Sequence, residues 1–203
     1  MRRTTTWLAI MTCVGSAGLS GCSNFPQAGP TLGPVTTYML SPASVLTAVD
    51  CMTTAHWYDG NGLADPAEAD MGSIPAGFVP VSAVECTAFG PNVTDSAGEW
   101  RTITQRQLSG DLGPLVKALN GPSDKAEEGT ICTADLEIIP DLWLVNADGK
   151  TVHVQWPQTA CHKSKPGTRE ALALLTVGKT TVLKAVRQQP PVPKSLPTTT
   201  ATP

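Results

Sequence analysis

Hydrophobic residues fall along this 203-residue chain in blocks of different period, and the periods predict its elements. Residues 8–19 are an unbroken run of apolar or small side chains, about a dozen long, whereas a spanning helix needs about 20. Residues 23–43 show little periodicity and are rich in Pro, Gly and Thr; they bury too little surface to order themselves and read as a spacer. In residues 78–89, Val79, Val81 and Ala83 recur at the two-residue period of a strand. Residues 99–105, with Trp100, Thr102, Ile103 and Thr104, predict a second, weaker strand. At 111–119 the spacing becomes helical: Leu112, Leu115, Val116 and Leu119 share a face, Asp111 or Ser109 can cap the start, and Asn120-Gly121-Pro122 forces a stop. Residues 142–156 carry the clearest pattern. Asp148-Gly149 tolerates positive backbone angles between two arms of β-branched and aromatic residues, which predicts a hairpin. Val152, Val154 and Trp156 of its second arm are expected to face the core, and Thr151, His153 and Gln155 to face water. Residues 169–175 predict a helix, while 176–186 stay open between a continuing helix and a strand. Residues 188–203 hold Pro190, Pro191, Pro193, Pro197 and Pro203 among threonines and predict an extended, solvated tail.

About 145 residues, 44–187, lie between spacer and tail, a length that suits one core and not two. The predicted class is α+β. A small antiparallel sheet, made of the 78–89 strand, the 99–105 strand and the 138–156 hairpin, packs on one or two helices.

The start of the chain changes the picture. Arg2 and Arg3 precede the apolar run, and no acidic residue occurs before Asp50, the layout of an export signal. The run ends in Leu19-Ser20-Gly21-Cys22, which resembles the lipobox of bacterial type II signal peptides: an apolar residue, two small residues and a cysteine. That resemblance implies that residues 1–21 are removed, that the Cys22 thiol carries a diacylglyceryl group, and that residues 22–43 tether an exported body to the outer face of the cell membrane. Each buried methylene contributes about 0.8 kcal/mol, and two acyl chains make such an attachment durable where one is marginal. With Arg2 and Arg3 gone, 12 of the 14 basic residues remain against 17 acidic ones, a net of −5. This charge argues against nucleic acid as a partner. Plentiful Ala, Thr, Pro and Gly are similar to small exported lipoproteins of actinobacterial type.

Cys13 leaves with the signal. Lipidation of Cys22 then leaves Cys51, Cys86, Cys132 and Cys161, which an oxidising compartment favours as two disulfides. Four cysteines pair in three ways. Pairing Cys51 with Cys86 and Cys132 with Cys161 is favoured because each pair brackets one locally closed unit. In a chain-entropy model each such loop, roughly 30 residues long, stabilises by roughly 3 kcal/mol.

Candidate chemistry is sparse. His56, His153 and His162 are scattered, and Cys161-His162 with Cys132 matches no zinc spacing. Asp59-Gly60-Asn61-Gly62, followed by Asp65, Glu68 and Asp70, begins like a calcium loop but has Leu63 at the third ligand position, so it reads as an acidic solvated loop. Gly178-Lys179-Thr180 ends like a phosphate loop but has Ala173 where the leading glycine belongs. Asn92-Val93-Thr94 is an acceptor sequon by pattern alone. His56-Trp57-Tyr58 clusters three rings after Cys51 and makes Trp57 and Tyr58 a candidate binding surface, with packing beside a disulfide as the alternative for Trp57. Residues 132–161 are similar to Streptomyces-type subtilisin inhibitors, which set a disulfide around an exposed strand and hairpin. That resemblance places Ala134 at the specificity position, although the family's second disulfide has no counterpart here. The expectation is a non-enzymatic binding or envelope-support module, with membrane lipid and an envelope protein or small ligand as partners. Apart from the lipid on Cys22 it needs no cofactor, metal or catalytic group. A protease inhibitor using the loop after Cys132 is the alternative, and a hydrolase with dispersed groups comes third.

Overall fold

A computed structural model describes residues 35–59, 70–135 and 137–188. The signal segment, Cys22, most of the spacer, the acidic loop at 60–69 and the tail from 189 lie outside the described residues.

The central element is a long hairpin. β3 (Pro80–Thr87) and β4 (Val93–Asp95) both lie along β5 (Gly98–Ser109), so that β4 continues the line of β3 after a break at 88–92. At the break the Gly90 N–H donates to the Thr102 carbonyl at 3.1 Å. A second hairpin joins β7 (Asp141–Asn146) to β8 (Thr151–Val154), and β7 pairs with β3. Its turn is organised by Asn146, whose Oδ1 accepts from the N–H groups of Asp148 at 3.1 Å and Lys150 at 2.8 Å. Gly149 takes the left-handed conformation there, with φ of 74°. β2 (Val45–Leu46) edges the sheet on β8, and β9 (Thr176–Arg187) edges it on β5, giving the antiparallel order β2-β8-β7-β3-β5-β9. The undecided segment 176–186 is therefore a strand.

One sheet face is covered by α2 (Gly113–Leu119) and α3 (Thr168–Ala173), with Leu115 and Leu119 of α2 and Leu142, Leu144, Val152 and Val154 of the sheet all fully buried. α2 follows its sequence closely. Leu112, Leu115 and Leu119 are buried and the helix stops at Asn120, but its N-cap is Leu112 without a side-chain cap, and Asp111 Oδ1, expected to cap the start, accepts only from the Gly113 N–H at 2.9 Å. The other face is covered by the 3-10 turn Cys51–Ala55 and α1 (His56–Asp59), packed on Val84, Cys86, Ile103 and Trp143. That second cover corrects one expectation. Thr151 and His153, assigned to water, are 2% and 1% exposed, because a sheet with both faces packed buries both parities of its strands. Val79 and Val81 go the other way: they are exposed, and the β3–β7 register shifts between Pro80 and Ser82.

The fold is α+β, mostly antiparallel sheet with a few short helices, and its disulfides join Cys51 to Cys86 and Cys132 to Cys161. Ordered structure also begins ahead of the expected boundary at 44. β1 (Thr37–Tyr38) pairs with β6 (Ser123–Asp124), and Ala43 belongs to the core. Residues 72–73 thread between 41–43 and the end of β8, with Ser73 N–H donating to Ser41 O at 2.8 Å and Gln155 N–H to Gly72 O at 2.9 Å. A Cβ at Gly72 would lie 2.2 Å from the Ser41 carbonyl oxygen, so only glycine fits that passage.

Candidate functional site

The covering turn is built to place side chains. Asp50 caps it, its Oδ1 accepting from the Met52 N–H at 2.9 Å, and Cys51 is fixed to β3 through Cys86. Thr54 then points into the protein, where its hydroxyl donates to Asp141 Oδ2 at 2.6 Å. His153 stands next to the same carboxylate, its Nε2 3.6 Å from Asp141 Oδ1, and stacks flat on Trp143 with centroids 4.3 Å apart and planes 7° apart. The Nε2 of His153 and the Nε1 of Trp143 are buried without a hydrogen-bond partner. Asp141 thus ties the cover to the hairpin beneath it.

A cleft of about 370 Å³ opens beside this contact. His56 and Trp57 line it from the turn, and Asp141, Gln155, Trp156 and Gln158 line it from the sheet and the loop after β8. Met71, Ile139 and Pro140 supply its apolar wall. Trp57 is half-buried, whereas Trp156 is 2% exposed and its Nε1 is buried without a hydrogen-bond partner. His56 is oriented by a 2.8 Å contact between Nδ1 and the Thr53 carbonyl, and its ring lies 5.2 Å from that of Trp57.

Two other hollows are weaker candidates. A larger one, about 530 Å³, lies over the sheet between Val49, Val84, Gln105, Gln107, Val145 and Thr151, and no ionisable side chain lines it. One of about 310 Å³ holds Arg106 and Arg169, but Glu85 engages the first at 3.0 Å and Glu137 the second at 2.5 Å. Among the described residues no three His, Cys, Asp or Glu side chains come together as a metal site, and no helix is long and apolar enough to cross a membrane.

The three residues expected to form a binding surface separate. Trp57 lines the cleft. Tyr58 turns inward: its hydroxyl donates to the Thr102 carbonyl and accepts from the Phe89 N–H at 2.5 Å, and its ring meets Phe89 edge-on at 5.4 Å. Ala134 sits in a loop exposed from Ile131 through Asp135 and stapled by Cys132–Cys161. Asp135 pairs with Lys163, and Glu137 accepts from the backbone N–H and hydroxyl of Ser164 at 2.8 and 2.6 Å. Asp141, Gln155, Gln158 and Met71 were not anticipated. The available signal was Asp141, a carboxylate opening an otherwise apolar strand after Ile138-Ile139-Pro140. Comparison with protein-family models, with curated proteins and with solved structures finds no match to this chain.

Proposed function

We propose that this protein is an exported lipoprotein, held by lipid on Cys22 at the outer face of the cell membrane, whose folded body binds a small envelope ligand in the Trp57 cleft without turning it over. The cleft carries the reading: two indoles, two amides and a carboxylate converge on one concavity of ligand size. Binding is favoured over catalysis because the hydroxyl nearest Asp141, that of Thr54, is 1% exposed and already donates to the carboxylate, out of a substrate's reach. The lipobox-bearing start supports the address, since residues 1–22 hold the charged, apolar and small-residue segments in order. Expression of Cys22→Ala tests the anchor. The variant is expected to leave the membrane fraction with an unchanged melting temperature, and its retention there would refute lipid anchoring.

One observation favours a second reading, protease inhibition. The Ile131–Asp135 stretch is exposed, Ile131 at 95%, and is pinned at one end by the disulfide and at the other by Lys163. Stoichiometric loss of subtilisin activity on adding the protein, abolished by Ala134→Pro, would establish that reading over ligand binding.

A further inference from the structure

We infer that the ligand of the Trp57 cleft is a neutral, hydroxyl-rich ring, a saccharide, either free or as a unit of an envelope polymer. The inference rests on the cleft being a binding site and adds the chemical class it takes. Among the described residues no Lys or Arg lines the cleft, so no permanently charged cation there neutralises a phosphate or carboxylate ligand. Asp141, the carboxylate among the described lining residues, is already engaged by Thr54 and flanked by His153, which makes it a poor counter-ion for a cation.

What remains unmet is specific. Trp156 Nε1 is a buried donor with no acceptor, on a side chain that is 98% buried in the cleft wall. Asp141 retains acceptor capacity, because two carboxylate oxygens offer about four lone-pair sites. Gln155 and Gln158 each present both a donor and an acceptor. A hydroxyl group suits the carboxylate and the two amides, since it accepts from an amide N–H while donating to a carboxylate or amide oxygen. A purely apolar ligand would leave these polar groups stripped of water and unpaired. Half-buried Trp57 supplies the other half of sugar recognition, an aromatic face for the C–H side of a pyranose, with Met71, Ile139 and Pro140 closing the apolar wall.

The test uses the purified mature chain and two readouts, tryptophan fluorescence on titration with cellobiose, maltose and chitobiose, and co-sedimentation with peptidoglycan sacculi. Saturable binding is expected, weakened about tenfold or more in both Trp57→Ala and Gln155→Leu, with circular dichroism and melting temperature preserved. A response to the disaccharides assigns a free sugar, and sedimentation without it assigns a polymer unit; either supports the class. The fluorophore ANS and a neutral tripeptide, Ala-Ala-Ala, are titrated in parallel. If one of these binds in a Trp57-dependent way and no saccharide does, the saccharide inference falls while the cleft stands as a binding site. Saccharide binding unchanged in both variants would place the site elsewhere and overturn both readings. Silence from every probe does the same.

Discussion

Asp141 is the residue on which the covering turn depends. A carboxylate that is 8% exposed needs a partner, and it has the Thr54 hydroxyl at 2.6 Å, with the His153 imidazole nearby at 3.6 Å. Asp141→Ala removes the acceptor and leaves Thr54, 1% exposed, without a partner, so it is expected to cost about 1–3 kcal/mol in urea unfolding. Loss below about 0.5 kcal/mol would show that the contact is incidental. None of this was legible in the residue pattern. Thr151, His153 and Gln155 alternate with Val152, Val154 and Trp156 in the manner of a one-sided hairpin, and polarity alone assigns the first set to solvent. Burial of His153 is decided by residues 100 positions upstream, around Thr54, which no local period reports. Trp57 and Tyr58 make the same point: neighbours in sequence, they serve different ends because α1 sends one to the cleft and the other to the Thr102 carbonyl.

Among the elements, those whose apolar period and stop signals agree were readable: α2, both arms of the β7–β8 hairpin and the strand that became β3. β9 was not, because Gly178-Lys179-Thr180-Thr181 interrupts its alternation and Lys184 and Arg187 keep it polar. It is a strand because β5, running from Gly98 to Ser109, offers a full-length edge to pair with, and the expected 99–105 fell short of that length. The two disulfides fasten elements of different kinds. Cys51 and Cys86 are 3% and 0% exposed and join the turn to β3 inside a packed cluster, whereas Cys132 is exposed and joins two loops. Replacing the first pair with serines is therefore expected to cost about 3 kcal/mol of chain entropy plus the penalty of two hydroxyls in an apolar cluster. Replacing the second is expected to cost less and to open residues 131–135 to limited proteolysis. Thermal melts with trypsin and subtilisin digestion separate the cases, and equal melting shifts for both pairs would contradict the assignment.

At the scale of the whole molecule, surface carboxylates contribute to the response to acid. Lys184, then Trp100 and Ala97, hold the Asp95 carboxyl at about 2, below an ordinary 3.8, and Lys163 followed by Thr133 does the same for Asp135. Burial pulls Glu137 up, but the Ser164 hydroxyl, Arg169 and the Ser164 N–H together bring it below its usual 4.5. Groups depressed in the folded state stabilise it above their ordinary values and cease to do so as the pH falls through their folded ones. The melting temperature is expected to be flat from pH 7 to roughly 5 and to decline between roughly 4.5 and 2, with a shallower decline in Asp95→Asn and Asp135→Asn at low salt. Identical profiles for wild type and variants would exclude these pairs as the cause. The α+β class was legible at this scale, and the observed cysteine pairing is the one favoured among three because each pair brackets a local unit; the early start of the body, at β1, was not, because two residues paired with Ser123 and Asp124 leave no period to read. The order of that cysteine pairing has a consequence for biogenesis. Among Cys51, Cys86, Cys132 and Cys161 the first joins the second and the third the fourth, with no crossing, so an oxidase that links these four thiols in their order of arrival makes both native bonds at the first attempt. Under the export proposed above, with Cys13 removed and Cys22 lipidated, the body is expected to mature without an isomerase.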